Sequence, residues 1–214
     1  MGNGPALLLA GCAAVLTVAL GAGTALAAAT WTITPGGAVT AKSGNAPITD
    51  TKVGRVMTCL SLTASGTLKS GSGVPGSGTG SLAAFGFHRC TNPLAKGIPS
   101  ARRETFTMTA TGLPWHLNLA SYGNGVATGT ISHMRITLAG PSCTAVIDGT
   151  GATVRDGHVR FRYSDATGRL TVLAAGSGLQ FFDVSGCAGV IVTGDPVTIS
   201  ATFAVTPKQA ITSP

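Results

Sequence analysis

His158-Val159-Arg160-Phe161-Arg162-Tyr163 is followed by Ser164-Asp165-Ala166-Thr167-Gly168 and then by Arg169-Leu170-Thr171-Val172-Leu173. The first run alternates polar and apolar residues. A period of two puts Val159, Phe161 and Tyr163 on one face of a strand and His158, Arg160 and Arg162 on the other. The middle run is turn chemistry, with Gly168 available for a positive-φ position. The third run leads back as a second strand. Leu179 to Val184 reads as a third, ending close to Cys187. This stretch, bracketed by Cys143 and Cys187, sets the expectation of antiparallel β-structure for the whole chain.

Composition agrees. Of 214 residues, 44% are hydrophobic, 10% are charged and 31 are glycine. Few charges with ample apolar content exclude a disordered chain. Thr, Val, Ile and Gly without long runs of helix formers point to strands and turns. Other segments alternate in the same way. Met134, Ile136 and Leu138 oppose His133, Arg135 and Thr137, and Trp115, Leu117 and Leu119 oppose His116 and Asn118. One face dry and one face wet is the pattern of antiparallel sheet. The expected fold is an all-β antiparallel sandwich, with a β-barrel as the alternative.

Residues 1–27 read as a signal peptide. Ala6 to Leu20 is an apolar core, Ala25-Leu26-Ala27 a small-x-small cleavage site, and Ala28 the first mature residue. The leading residues carry no Lys or Arg, so the amino group alone supplies the positive charge or the coding start lies upstream. Leu9-Ala10-Gly11-Cys12 also spells a lipoprotein signal anchored through Cys12. Only about six apolar residues precede that cysteine, against roughly 7–15 in a signal core. Secretion is the expected localisation, with no transmembrane segment in the mature chain. The domain is expected over 28–207, with 208–214 as a flexible tail.

Without Cys12, four cysteines remain: Cys59, Cys90, Cys143 and Cys187. An even number in an exported chain reads as two disulfides. Three pairings are open by count. The sequential one, Cys59–Cys90 and Cys143–Cys187, is expected because the chain carries a weak internal recurrence. Trp31-Thr32-Ile33-Thr34, Phe106-Thr107-Met108-Thr109 and Phe203-Ala204-Val205-Thr206 divide it, and each interval holds two cysteines with a Phe-containing strand before the second. The recurrence reads either as duplication, giving two similar halves that share one core, or as coincidence in a Thr/Gly-rich text. Each bridge would close a loop of about 30 to 45 residues, worth up to about 4 kcal/mol by chain entropy. Lys69 to Gly80 reads as a Gly/Ser loop and Thr91 to Arg103 as a Pro-containing loop.

No catalytic or metal motif emerges. The four histidines lack ligand spacing in sequence, and no G-x-S-x-G occurs. No cofactor is expected. Asp148, Asp156, Asp165 and Asp195 stand in turn contexts, while Asp50, Glu104 and Asp183 do not. Asp148-Gly149-Thr150-Gly151 lacks a full calcium ligand set. With 14 Lys and Arg against seven Asp and Glu, the net charge is +7. The one candidate site is an anion-binding face of His158, Arg160, Arg162 and Arg169, with Arg155 nearby in sequence. Its expected partner is an anionic cell-wall or envelope polymer. Nucleic acid is not expected, because few aromatics are available for stacking.

Trp31-Thr32-Ile33-Thr34-Pro35-Gly36-Gly37, Gly112-Leu113-Pro114-Trp115-His116, Val184-Ser185-Gly186-Cys187-Ala188-Gly189 and Val205-Thr206-Pro207-Lys208-Gln209 give the chain its family likeness. On these letters it resembles uncharacterised secreted all-β proteins of high-GC Gram-positive, actinobacterial type. The resemblance implies export and an all-β fold, and brings no catalytic motif. The expected role is that of a secreted or envelope-associated, non-enzymatic β-domain with a structural or binding function. A small-molecule or lipid binder using the interior, and a hydrolase of unfamiliar type, are the alternatives.

Overall fold

The structure, a computed structural model, describes Met1 and residues 30–92, 104–150 and 156–213. The expected signal segment with Cys12 and Ala28, apart from Met1, lies outside the described residues. So do 93–103 of the Pro-containing loop, and Arg155.

Strands account for the fold. They are β1 (Thr30–Thr34), β2 (Gly37–Ser43), β3 (Ala46–Asp50), β4 (Arg55–Leu68), β5 (Gly71–Pro75), β6 (Gly80–Asn92), β7 (Glu104–Thr111) and β8 (Trp115–Gly123). There follow β9 (Val126–Ala139), β10 (Thr144–Gly149), β11 (Gly157–Ser164), β12 (Arg169–Leu173), β13 (Leu179–Ser185), β14 (Pro196–Ile199), β15 (Ala201–Thr206) and β16 (Ala210–Thr212). All the pairings are antiparallel. The all-β antiparallel expectation therefore holds.

The large sheet is ring-like, because its pairings close. One circuit runs β3–β4–β6–β7–β9–β10–β13–β14 and returns to β3. A second runs β2–β4–β6–β8–β9–β11–β12–β15 and returns to β2. The long strands β4, β6 and β9 belong to both. The first part of β4 pairs β3 and its last part pairs β2, so one strand serves two neighbours along its length. Closure removes the exposed edges that invite strand addition. A small sheet, β16–β1–β5, lies at one end of the second circuit.

One continuous apolar core fills both circuits, from Ile48, Ile147 and Val197 in the first to Leu62, Trp115 and Phe161 in the second. Each circuit takes strands from both halves of the sequence. The recurrence of apolar-Thr segments thus marks no spatial halves, and the shared core is the part of that expectation that holds. Both disulfides form with the sequential pairing, Cys59–Cys90 and Cys143–Cys187. Both belong to the first circuit. Cys59 and Cys90 stand directly opposite each other on β4 and β6, and the other pair ties the approach to β10 to the exit of β13.

Two loop expectations need correction. The Gly/Ser stretch contains β5, which pairs β1 and buries Val74 against Trp31. The expected tail 208–214 is largely structured. β16 pairs β1, Ile211 is buried, and Gln209 is only 1% exposed. Gln209 accepts from the Gly36 N–H at 2.8 Å and donates from Nε2 to the Pro207 carbonyl at 2.9 Å. A buried amide with its polar atoms satisfied can anchor a terminus that has few apolar residues.

Candidate functional site

The basic face rests on β11. Val159, Phe161 and Tyr163 are buried while Arg160 and Arg162 are exposed, as alternation requires. β12 pairs β11 with Thr171 opposite Arg162 and Arg169 opposite Ser164, so Arg162 and Arg169 are diagonal neighbours. The row continues from Arg169 through Ala204 on β15 to Lys42 on β2. Two strand spacings, about 10 Å, separate Arg169 from Lys42. Lys208 lies close by, its aliphatic stem against Gly168. Thr171 and Thr202 hydroxyls meet between the cations at 3.3 Å.

Among the described residues, Arg160, Arg162, Arg169 and Lys42 form no ion pair; the pairs present are Lys52–Asp195, His133–Asp156 and Arg135–Asp148. His158 differs from the other members of the expected set. It is half-buried, with its ring against Gly178, and Nδ1 lies 3.4 Å from the Asp156 carbonyl. The Arg160 stem rests on Gly176. The structure therefore brings Arg160, Arg162 and Arg169 together, adds Lys42, and leaves His158 at the margin. Sequence could not supply Lys42, because its place depends on the register between β2 and β15.

Beside this face lies a polar cluster. His116 on β8 stands opposite Ser132 on β9, and its ring lies 4.6 Å, centroid to centroid, from that of His133. Asn118 donates to the Ser132 hydroxyl at 3.0 Å and accepts from the Gly78 N–H at 2.8 Å. Asp156 accepts from the His133 N–H at 2.7 Å. No ligand spacing in the sequence links positions 116 and 133; the pairing of β8 with β9 brings them together.

Carboxylates gather elsewhere. Asp50 closes β3, and Asp195 precedes β14, which pairs β3. The Lys52 ammonium reaches Asp195 Oδ1 at 2.8 Å, and the Lys52 and Val53 N–H groups donate to Asp50 Oδ1. Asp50 Oδ2 is buried without a donor. Burial pushes the Asp50 carboxyl up, and the neighbouring Asp195 adds to the rise against the two backbone donors. Asp195 is fully buried and also accepts from the Val192 N–H. Its Gly-Asp-Pro setting reads as a turn, and the carboxylate does close the Val192–Asp195 turn while also reaching Lys52. Asp148 departs from its turn reading. It lies in β10, 2% exposed, with Arg135 at 3.7 Å.

Inside the second circuit an apolar cavity of about 60 Å³ is lined by Leu82, Leu117, Phe161, Tyr163, Leu170 and Ile211, among others. Ligand pockets run to roughly 300–1,000 Å³, so this void is too small for a lipid. Among the described residues no three His, Cys, Asp or Glu side chains gather as a metal-ligand set. No helix of the described residues is long and apolar enough to cross a membrane. No protein-family model, curated protein or solved structure matches the chain.

Proposed function

We propose that this protein is an exported, envelope-associated β-domain that binds an anionic cell-wall polymer through the outer face of β11, β12, β15 and β2. The supporting observation is the run of Arg160, Arg162, Arg169 and Lys42, outward and without ionic partners among the described residues. Unpaired guanidinium groups offer forked donors that suit carboxylate or phosphate oxygens. The intervening threonines keep the face polar and free of carboxylates that would compete. Two disulfides suit the oxidising compartment that export implies, and the apolar segment ending at Ala27 suits a secretory leader. Trp31 and Trp115 are buried, which disfavours a stacking platform and so favours a polyanion over a neutral glycan or single-stranded nucleic acid.

The test is retention of the protein on anionic wall material across a salt series. Retention should fall as salt rises, since exposed charges are screened. It should fall further in the Arg160→Glu, Arg162→Glu double variant. Both side chains are exposed, so the variant keeps its fold. Retention unchanged by salt and by both substitutions would sink the proposal.

A further inference from the structure

We propose that His116 and His133 form a two-imidazole site for a borderline divalent transition-metal ion of the copper, nickel and zinc class. The register between β9 and β11 breaks beside these histidines. On β11, Val159 pairs with Ile131 and Gly157 with Met134, so β9 fits Ser132 and His133 into the space of one residue. Ile131 and Met134 both remain buried. The bulge therefore sets two β9 residues against the single residue His158 of β11, and His133 takes φ +62°, which a non-glycine residue adopts at a cost in strain. The consequence is specific: His133 is turned onto the neighbour of Ser132, which is His116, with the rings tilted by 46°.

The surroundings fix one side of the His133 ring. Nδ1 lies 3.3 Å from the Ser132 hydroxyl and 4.0 Å from Asp156 Oδ1. That carboxylate also accepts the His133 N–H at 2.7 Å. A carboxylate beside one ring nitrogen orients an imidazole so that the other nitrogen can take a metal. His133 is more than half exposed, and His116 is exposed as well, so both rings can adjust to a shared ion. His116 also walls a surface depression of about 260 Å³ that includes Lys69 and Ser81, which leaves room for water or an exogenous ligand to complete the coordination. Imidazole nitrogen without thiolate or a set of oxygens selects this class over calcium and magnesium. The site is independent of the basic face.

Calorimetric titration of the full chain with Cu²⁺, Ni²⁺ and Zn²⁺ tests the inference. A Cys12→Ser background removes the competing thiol. Cu²⁺ should bind tightest of the three, following the usual order for nitrogen ligands. His116→Gln and His133→Asn should each weaken Cu²⁺ binding at least about tenfold. Asn suits the second position because it tolerates positive φ. Asp156→Asn should weaken binding about tenfold through loss of orientation. His158→Ala should change nothing, and circular dichroism should show each variant folded. Wild-type affinity in the His116→Gln, His133→Asn double variant would place the ion elsewhere and overturn the site. Loss in only one of the two single variants would overturn the shared ligation, and equal binding of Ca²⁺ or Mg²⁺ would overturn the metal class.

Discussion

Tyr163 and Gln209 satisfy each other twice. The phenol O–H donates to the Gln209 carbonyl at 2.9 Å, and the Gln209 N–H donates back to the phenol oxygen at 2.8 Å. One side chain of β11 thus takes both main-chain groups of a residue 46 positions away, at a site where each is nearly fully buried.

Removing that hydroxyl should be costly. Tyr163→Phe leaves a buried N–H and a buried carbonyl without partners, so a loss of about 1–3 kcal/mol is expected in urea unfolding. The phenol itself is pushed up by burial and further by Asp165. Its contribution is complete below the ordinary phenol range and is lost as pH rises through and above it. The wild type should therefore lose stability in alkali more steeply than Tyr163→Phe. Equal alkaline slopes would show that the hydroxyl is not in this environment.

Asp50 carries the same sign at lower pH, but here removing the ionisable group should help. Its carboxyl is raised from 3.8 by burial and by Asp195, so the folded state holds the proton more tightly than the unfolded chain. Stability from this group is present below the ordinary Asp value and falls as pH climbs through the raised one. Asp50→Asn keeps an acceptor for the Lys52 and Val53 N–H groups and cannot ionise. It should gain on the order of 1 kcal/mol at neutral pH and flatten the stability profile on the alkaline side of the ordinary Asp range. Thermal unfolding at several pH values checks both, and a destabilised Asn variant at neutral pH would refute the reading.

The two bridges are unequal in setting. Their sequence separations, 31 and 44, give nearly equal chain-entropy contributions of about 3–4 kcal/mol. Cys59 and Cys90 are 0% and 1% exposed, however, and the Cys59 sulfur lies 3.9 Å from that of Met108. Replacing this pair with alanine removes core volume as well as the link. It should cost more than the same change at Cys143 and Cys187, as measured by denaturant unfolding of the two double variants.

Gly129 sits where β9 meets β8 beneath an aromatic ring. A Cβ there would come 2.0 Å from the Asn118 carbonyl oxygen and 2.8 Å from Phe161. Backbone cannot give way cheaply, so Gly129→Ala should destabilise by about 1–3 kcal/mol. Gly123→Ala, which meets nothing within 4 Å, is the control and should be close to neutral.

Alternation alone revealed the buried and exposed faces of β11, because a strand with one wet side writes its pattern locally. The cysteine pairing could be anticipated from an apparent duplication, although the spatial circuits interleave the two halves of sequence. What could not be read was register. His116 meets His133 through a bulge that breaks the period of two, and Lys42 falls in the same cross-strand row as Arg169 only through the intervening Ala204 of β15. Asp50 and Asp195 stand 145 positions apart in sequence and come together through the pairing of β3 with β14. Gln209 carries no apolar signal, yet its buried hydrogen bonds order the C-terminus.

The sharing of β4, β6 and β9 between both circuits leaves this protein without a seam. Any cut or deletion that removes one circuit also strips strands from the other, so no fragment can be excised as a self-standing module. Limited proteolysis should leave either the whole β-body or nothing stable.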